Sequence, residues 1–247
     1  MNKIGKILQR KDAGSIGIGA MIVFIAMILV AGVAATVLIQ TSNTIQLQAM
    51  KTGTETTREI SSGVQVFDIE GLINITTVNI SGNLTTLRGD LEFLGITVKP
   101  RPGSLAIDLN NTYILFSDGE TKALLRYGGW NDTALFASEI NQTNGRLFKT
   151  GNWSNATNEY FGIIVLQDYD RSCQRLSPVI NRGDKVVLMV RCGAANSSGF
   201  NETTGTFGRC IPERTVIFGK VIPEVGAPGV ISFTTPMSYN KDIYDLQ

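Results

Sequence analysis

The segment from Ala13 to Met50 contains no charged side chain, and this absence constrains the fold more than any other feature of the chain. Within it, residues 16–39 are almost entirely apolar. At about 1.5 Å per helical residue this run reaches roughly 36 Å, which exceeds the hydrocarbon core of a bilayer, about 30 Å. We expect the N-terminus to stay cytoplasmic and everything after Gln40 to face outward, because cations precede the run at Lys3, Lys6, Arg10 and Lys11.

The apolar run allows three fates for the chain. A secretory signal has an apolar stretch of about 7–15 residues before small residues, so this run is too long, although residues 31–35 would offer a cleavage site. An uncut run would be a simple membrane anchor. A cut between Gly14 and Ser15 would remove the cations and leave a helix that is apolar on all faces. Such a helix must lie in lipid or among identical helices.

From Val64 onward the pattern changes to short runs of β-branched and aromatic residues separated by turn residues. The runs cover residues 64–69, 72–75, 91–94, 112–116, 160–166, 185–190, 214–218 and 230–233. Asp118–Gly119 is a strong hairpin signal. The sequence therefore predicts an α+β fold, in which a long hydrophobic N-terminal α-helix, residues 15–62, precedes an antiparallel immunoglobulin-like β-sandwich or barrel, residues 63–247.

Asparagine forms the second strong signal, because ten Asn-x-Ser/Thr sequons occur and all of them lie in the predicted β region. Exposed turns favour these residue types in any case, which explains part of the excess. The remainder predicts export to a glycosylation machinery outside the cytoplasm and N-linked glycans at several sites. The candidates are Asn74, Asn79, Asn83, Asn110, Asn131, Asn141, Asn152, Asn155, Asn196 and Asn201.

The chain has three cysteines, an odd number for an exported protein. Cys192 and Cys210 flank a polar loop, residues 193–209, and a disulfide closing a loop of that length would stabilise by roughly 3 kcal/mol. Pairing of Cys173 with either of them is the main alternative, and a buried free thiol is expected for the cysteine left over. The absence of histidine and of any CxxC spacing argues against a zinc site.

Catalysis is not indicated by the sequence. Without histidine, Ser/His/Asp and Cys/His arrangements are excluded. Carboxylate pairs that could act in hydrolysis or bind calcium are better explained as same-face neighbours on strands; they are Asp68/Glu70, Asp118/Glu120 and Asp168/Asp170. The tripeptide Arg182–Asp184 has the sequence of an adhesive motif, but a turn before a strand explains it better. The formal net charge of +1 gives no basic face for nucleic acid, and no phosphate-binding loop is present.

Several segments resemble the archaellins, the archaeal flagellins. The resemblance is densest in residues 12–60, where Gly14 precedes Ser15-Ile-Gly-Ile-Gly19 and the apolar run ends in Gln40-Thr-Ser-Asn43. It continues through residues 95–104, 107–110, 183–188 and 226–229. Bacterial type IV pilins commonly carry glutamate at the fifth mature position, where this chain would have Gly19, so the archaeal branch is favoured.

The resemblance implies a class III signal peptide, residues 1–14, that a prepilin-peptidase-like enzyme removes by cutting between Gly14 and Ser15. It further implies a precursor in the cytoplasmic membrane and a partner assembly platform with its ATPase. The mature chain would polymerise with itself or with paralogues through its helix, forming an extracellular rotating filament with no cofactor besides glycans. Some members of the family bind metal ions in the outer domain, for which Asp168 and Asp170 are the first candidates here.

Two other functions fit the same sequence less well. An adhesive type IV-like pilin would assemble in the same way but bind surfaces instead of rotating. A membrane-anchored glycosylated surface domain would keep its leader and need a flexible linker after the apolar run. Residues 40–60 show no Pro/Ser/Gly-rich linker, which favours the filament subunit.

Overall fold

The computed structural model describes residues 3–80, 83–140, 147–150, 153–195, 201–202 and 205–247. The chain divides into two compact units, residues 1–56 and residues 57–247. The first unit is helical in all of its described residues, and the second contains the last helical turns and the β-structure. This arrangement confirms the predicted α+β fold class.

A single helix, α1, runs from Lys3 to Ser61. No proline occurs before Pro100, so nothing in the covalent chain interrupts the helical hydrogen bonds. The Ser62 amide donates to the Arg58 carbonyl at 2.8 Å and closes the last turn. Gly63 then adopts a φ of +153°, which side-chain-bearing residues rarely adopt, and the chain turns into the first strand. The helix ends one residue before the predicted end at residue 62, while its start extends back through Gly14 into the basic leader.

The described part of the second unit contains fifteen strands and three short 3₁₀ helices. The strands are β1 Val64–Ile80, β2 Asn83–Pro100, β3 Ile107–Asp108, β4 Tyr113–Ser117, β5 Lys122–Tyr127, β6 Phe136–Ala137, β7 Tyr160–Gln167, β8 Cys173–Gln174, β9 Ser177–Ile180, β10 Lys185–Arg191, β11 Ala194–Ala195, β12 Asn201–Glu202, β13 Val216–Ile222, β14 Gly229–Thr234 and β15 Ile243–Asp245. The 3₁₀ helices are Thr133–Leu135, Leu147–Lys149 and Trp153–Asn155.

Most of these strands form one sheet in the order β14-β13-β4-β5-β7-β10-β2-β1-β15, to which β6 adds by pairing with β7. Two smaller sheets, β3-β9-β8 and β11-β12, complete the unit. The prediction of a purely antiparallel sheet is wrong at β7, which pairs in parallel with both β5 and β6. The cause is the long connection after Tyr127, because a strand can re-enter a sheet in the same direction only through such a crossover.

The sheet packs against two hydrophobic cores on its opposite faces. One core is shared by nearly all the strands of the sheet. The other lies beneath the crossover and includes Phe148 and Trp153. Strand β10 contributes to both, since Val186, Leu188 and Val190 join the first core and Val187 and Met189 join the second. Burial on both faces explains why the sequence of β10 is a continuous apolar run instead of an alternating one.

The large sheet curls so that its two ends approach each other. The Val64 amide donates to the Ala227 carbonyl at 3.2 Å, and Gly63 forms an isolated bridge with Ala227. A Cβ on Gly229 would lie 3.1 Å from Val66 Cγ2. The curled sheet therefore encloses the larger core, as the predicted sandwich or barrel requires.

Candidate functional site

The surface of α1 is the most unusual surface of the molecule. Every residue from Ile16 to Ser61 is exposed, including large apolar side chains such as Leu29 at 65% and Leu38 at 70%. The apolar residues are spread around the whole circumference and form no stripe. This is the one helix in the described residues that is long and apolar enough to cross a membrane. A helix of this kind is not stable in water and requires an apolar cover.

Three threonine hydroxyl groups, one near the end of the apolar run and two just beyond it, are satisfied within the helix itself. The hydroxyl groups of Thr36, Thr41 and Thr44 donate to the carbonyls four residues earlier, at 2.8, 2.8 and 3.0 Å. A hydroxyl bonded in this way can enter an apolar environment without leaving an unpaired donor. The helix can therefore exchange lipid for packed helices without breaking any of these hydrogen bonds.

The end of α1 is joined to the β-structure by a compact junction within the second unit. The Ala227 amide donates to the Ser62 carbonyl at 2.8 Å, and the Arg101 amide donates to the Gly63 carbonyl at 2.9 Å. Gly226 has a φ of +102°, and a Cβ at this position would fall 2.4 Å from the carbonyl carbon and oxygen of Ser62. Glycine is required here both by the backbone angle and by the close approach.

Three carboxylates converge between β7 and β10. The structure brings the predicted pair, Asp168 and Asp170, together with Asp184, and one oxygen of each lies within 4.8 Å of the others. Backbone amides hold the group in place, since Ser172 N donates to Asp170 at 3.1 Å and Cys173 N donates to Asp168 at 2.9 Å. The donor set consists of carboxylate oxygens, which fits a hard divalent cation such as Ca²⁺ or Mg²⁺.

Asp184 is the member of the cluster that the sequence did not single out as a ligand. It lies in the Arg182–Asp184 tripeptide, which forms the expected turn: Gly183 has a φ of +102°, and Asp184 accepts from the Asn181 amide at 2.8 Å. Burial, together with the charges of Asp168 and Asp170, raises the pKa of Asp184. Hydrogen bonds from Asn181 and Ser172 lower the pKa of the exposed Asp170. The sequence pattern that could have identified Asp184 as a ligand is a carboxylate placed between a glycine turn and a buried strand.

The three cysteines are buried free thiols, so the predicted Cys192–Cys210 disulfide is wrong for this structure. Their segments do approach each other, because a Cβ on Gly193 would fall 2.1 Å from the carbonyl carbon of Arg209. Burial and the nearby carboxylates of Glu92 and Asp90 raise the pKa of Cys210 to about 12, and burial also raises the pKa of Cys192 well above its ordinary value. Disulfide exchange needs a thiolate, which these surroundings disfavour.

The described sequons lie on the first hairpin, in loops, in the 3₁₀ helix Trp153–Asn155 and in β12. Asn110 and Asn131 are exposed loop residues. Asn74 donates through Nδ2 to Glu92 Oε2 at 2.8 Å, and Asn155 donates to Asp132 Oδ2 at 2.6 Å, so a glycan at either site would replace a hydrogen bond. Only the backbone is described at Asn79, Asn83 and Asn201, and the predicted sites Asn141, Asn152 and Asn196 lie outside the described residues.

Comparisons with known proteins identify the family to which these features belong. The chain is 42% identical to flagellin B2 of Methanocaldococcus jannaschii over 99% of this chain and 100% of that protein. It is 38% identical to flagellin B1 of Thermococcus kodakarensis over 96% and 99%. The crystal structure of archaeal flagellin FlaB1 from M. jannaschii matches with a TM-score of 0.55 and 26% identity over 75% of this chain and 97% of that one.

The archaeal flagellum of Methanospirillum hungatei strain JF1 shares the fold, with a TM-score of 0.55 at 14% identity over 93% of this chain and 98% of that one. Residues 14–233 match the sequence family described as archaeal-type flagellin. This match begins at Gly14 and spans the apolar helix and most of the β-structure. The chain is therefore a member of the archaeal-type flagellin family.

Proposed function

We propose that the chain is a structural subunit of the archaellum filament and that it polymerises through α1. The observation that carries this proposal is a helix that is exposed from Ile16 to Ser61 and apolar around its whole circumference in residues 16–39. Burying apolar surface is worth about 25 cal/mol per Å², so the free energy of leaving such a helix in water is prohibitive. Identical helices from other subunits provide the apolar cover.

The length of the helix favours a filament core over a simple anchor. The exposed helix that contains the apolar run spans 46 residues, from Ile16 to Ser61. At about 1.5 Å per residue it extends over roughly 69 Å, more than twice the hydrocarbon thickness of about 30 Å. Lipid can cover only part of such a rod. A bundle of identical helices can cover all of it, and head-to-tail contacts that do not close produce a helical filament.

Cleavage between Gly14 and Ser15 would prepare the helix for this transfer. Before the cut, the leader with Lys3, Lys6, Arg10 and Lys11 holds the precursor in the cytoplasmic membrane. After the cut, the mature helix begins with Ser15 and has no cationic side chain before Lys51. The family match that starts at residue 14 supports this site. The partners of the precursor would be a prepilin-peptidase-like enzyme and a membrane assembly platform with its ATPase.

The mature subunit would act mechanically in an extracellular filament that turns as a motility organelle. The β-structure would lie outside the helical core and carry N-linked glycans at its exposed sequons. The filament would consist of this chain alone or of this chain mixed with paralogous archaellins. A divalent cation bound by Asp168, Asp170 and Asp184 would brace the segment between β7 and β10, since it would offset the repulsion among three adjacent carboxylates.

The decisive experiment is mass spectrometry of the N-terminal peptide of the chain in material sheared from cells, beside the membrane fraction of the same cells. We expect the sheared material to begin at Ser15 and the uncut chain to occur only in membranes. A Gly14→Val variant should stay in the membrane with its leader intact, while a matched Gly17→Val variant, inside the helix, should still be cut. Sheared filaments that retain Met1–Gly14 would overturn the proposal.

A further inference from the structure

One face of the large sheet is apolar where an exposed sheet face is normally polar. We call it the open sheet face; it is formed by the outward side chains of four adjacent strands, β14, β13, β4 and β5. Its apolar members are Tyr113, Leu115, Leu124, Phe218, Ile222 and Val230. Leu124, Phe218 and Val230 are each more than half exposed, at 56%, 56% and 59%.

Strand register makes these residues contiguous. Val230 pairs with Lys220, Lys220 pairs with Leu115, and Leu115 pairs with Leu124, so one row crosses all four strands. The alternate residues of the same strands, such as Ile114 and Ile217, are fully buried in the larger core. A shift of register would expose that core, so the outward position of the apolar row is fixed. Contiguous exposed patches of this kind mark interaction sites.

The open sheet face carries an excess of positive charge. Lys122, Arg126 and Lys220 are exposed among the apolar residues. Arg126 lies over the Tyr160 ring and donates to its hydroxyl at 2.7 Å, which fixes its position. A hollow of about 240 Å³ lies beside it, lined by Tyr113, Leu124, Arg126 and Glu159. A partner for this face should present apolar residues beside negative charge.

A surface of that chemistry exists at the opposite end of the strand order. Glu70 on β1 pairs directly with Asp245 on β15, the last strand of the sheet, and the exposed Ile243 lies two residues before Asp245. Burial and the negative charges of Asp68 and Asp245 raise the pKa of Glu70. We call these three carboxylates with Ile243 the acidic edge. Its carboxylates repel one another, so a cation from outside would relieve that repulsion.

The distribution of sequons also separates the open sheet face from the glycan-bearing parts of the chain. None of the ten sequons falls within β4, β5, β13 or β14, and none occurs after Asn201. The nearest in sequence, Asn110 and Asn131, lie in the loops before β4 and after β5. A face that must pack against protein is the one that should lack bulky glycans.

We propose that the open sheet face binds the acidic edge of a second copy of this chain, as a lateral contact between outer domains in the filament. The inference rests on the proposed function, because only an assembly of copies brings the two surfaces together. The two surfaces differ, so the contact is heterologous and continues from subunit to subunit without closing. Opposite charges at such a contact fix register as well as adding affinity.

Charge reversal with complementation tests the proposal in cells whose only copy of the subunit is the variant. Lys220→Glu alone and Asp245→Lys alone should each lower the yield of sheared filament about tenfold, because like charges would then face each other. The double variant should recover to within about twofold of the unchanged chain, since the pair is opposite again. Glu139→Lys, at an exposed carboxylate in the crossover after β6, is the matched control and should leave the yield unchanged.

Two measurements keep the outcomes separate. Protease resistance of residues 57–247 in the membrane-bound precursor should be equal in all variants, which shows that they fold. Filaments of the unchanged chain beginning at Ser15 establish the proposed function independently, so a failure of the double variant to recover would then overturn only the contact. Unchanged yield in both single variants would overturn it as well.

Cross-linking gives a geometric test of the same contact. The native cysteines are buried, so a chain with Lys220→Cys and Asp245→Cys offers two reactive thiols. Oxidised filaments should give a ladder of covalent multimers on a non-reducing gel, because each subunit uses one thiol in each of two contacts. A chain with Lys220→Cys and Glu139→Cys should give no ladder. Dimers alone from the first chain, or no cross-link at all, would refute the heterologous contact.

Discussion

The junction between α1 and the β-structure provides the sharpest test of the fold, through a single added methyl group. Gly226→Ala places a Cβ 2.4 Å from the carbonyl carbon and oxygen of Ser62 and 2.8 Å from the Gly63 nitrogen. All of these are backbone atoms, so no side-chain rotation can relieve the overlap. Gly103→Ala is the matched control, because Gly103 also has a positive φ, +86°, but a Cβ there meets nothing within 4 Å.

The expected free energies follow from these two geometries. Both variants force alanine into a left-handed backbone conformation, which costs about 1–2 kcal/mol. Only Gly226→Ala adds overpacking against backbone, which costs about 1–3 kcal/mol more. In a domain of 150–250 residues, each kcal/mol lowers the melting temperature by about 2–4 °C. We therefore expect Gly226→Ala to melt about 2–12 °C below Gly103→Ala.

The assay is thermal unfolding of the full chain in detergent, followed by near-ultraviolet circular dichroism, which reports the tertiary packing of the β-structure and is insensitive to the helix in the micelle. The unchanged chain and both variants are measured in the same detergent. Equal melting temperatures for the two variants would refute the close approach at the junction. A lower melting temperature for Gly103→Ala would refute the whole account of the two glycines.

Three further predictions concern the titratable groups. Because burial and repulsion raise the pKa of Glu70, its ionised form destabilises the fold above that raised pKa. Glu70→Gln should therefore raise the melting temperature at pH 7. This gain should vanish below the ordinary pKa of 4.5. A constant gain across that range would contradict this. The three cysteines should all resist maleimide at pH 7 in the native chain, and all should react in denaturant without reductant. A single reactive thiol in the denatured chain would indicate that the other two cysteines form a disulfide. Ca²⁺ at about a hundred times its Kd should stabilise the β-structure by about 2.7 kcal/mol, which raises the melting temperature by about 5–10 °C. Asp170→Asn should abolish this increment, while Asp108→Asn should retain it. An equal increment in both variants would exclude the carboxylate cluster as the Ca²⁺ site.

The helix could be predicted from the sequence because its determinants are local. The charge-free segment, the absence of proline and the basic leader each act within a few turns, and α1 ends at Ser61, one residue before the predicted end. The strands at the centre of the sheet could be predicted for the same reason, since β7 and β10 are dense in β-branched residues. The curl of the sheet could not, because it depends on Gly63 meeting Ala227, residues far apart in sequence.

Strand β5 shows why other elements escaped prediction. Its sequence, Lys-Ala-Leu-Leu-Arg-Tyr, is short of β-branched residues and carries two cations. Its strand conformation comes from its neighbours, since it pairs with β4 across the Asp118–Gly119 turn and in parallel with β7. The hairpin signal predicted the first pairing correctly. The second requires the crossover between Tyr127 and Tyr160, which no local pattern encodes.

The carboxylate cluster was predicted in part for a comparable reason. Asp168 and Asp170 are neighbours in sequence, so their proximity is a property of one loop. Asp184 reaches them only because β10 lies beside β7 in the sheet, a pairing fixed by burial on both faces. The disulfide prediction was wrong for a different reason. The loop between Cys192 and Cys210 brings their segments together, but burial raises the pKa of both thiols and so favours their protonated form.

The two exposed apolar surfaces differ in a way that assigns them different tasks in the proposed filament. The surface of α1 is uniform around the helix and carries no charge from Ile16 to Met50. Any apolar environment covers it about equally well, so it supplies cohesion but little information about rotation or register. The open sheet face is one-sided and charged, so it distinguishes one neighbour orientation from the others. Volume-conserving apolar changes in α1, such as Ile22→Leu, should therefore leave filament yield and geometry unchanged. Lys220→Glu should lower the yield and alter the register of the filaments that still form.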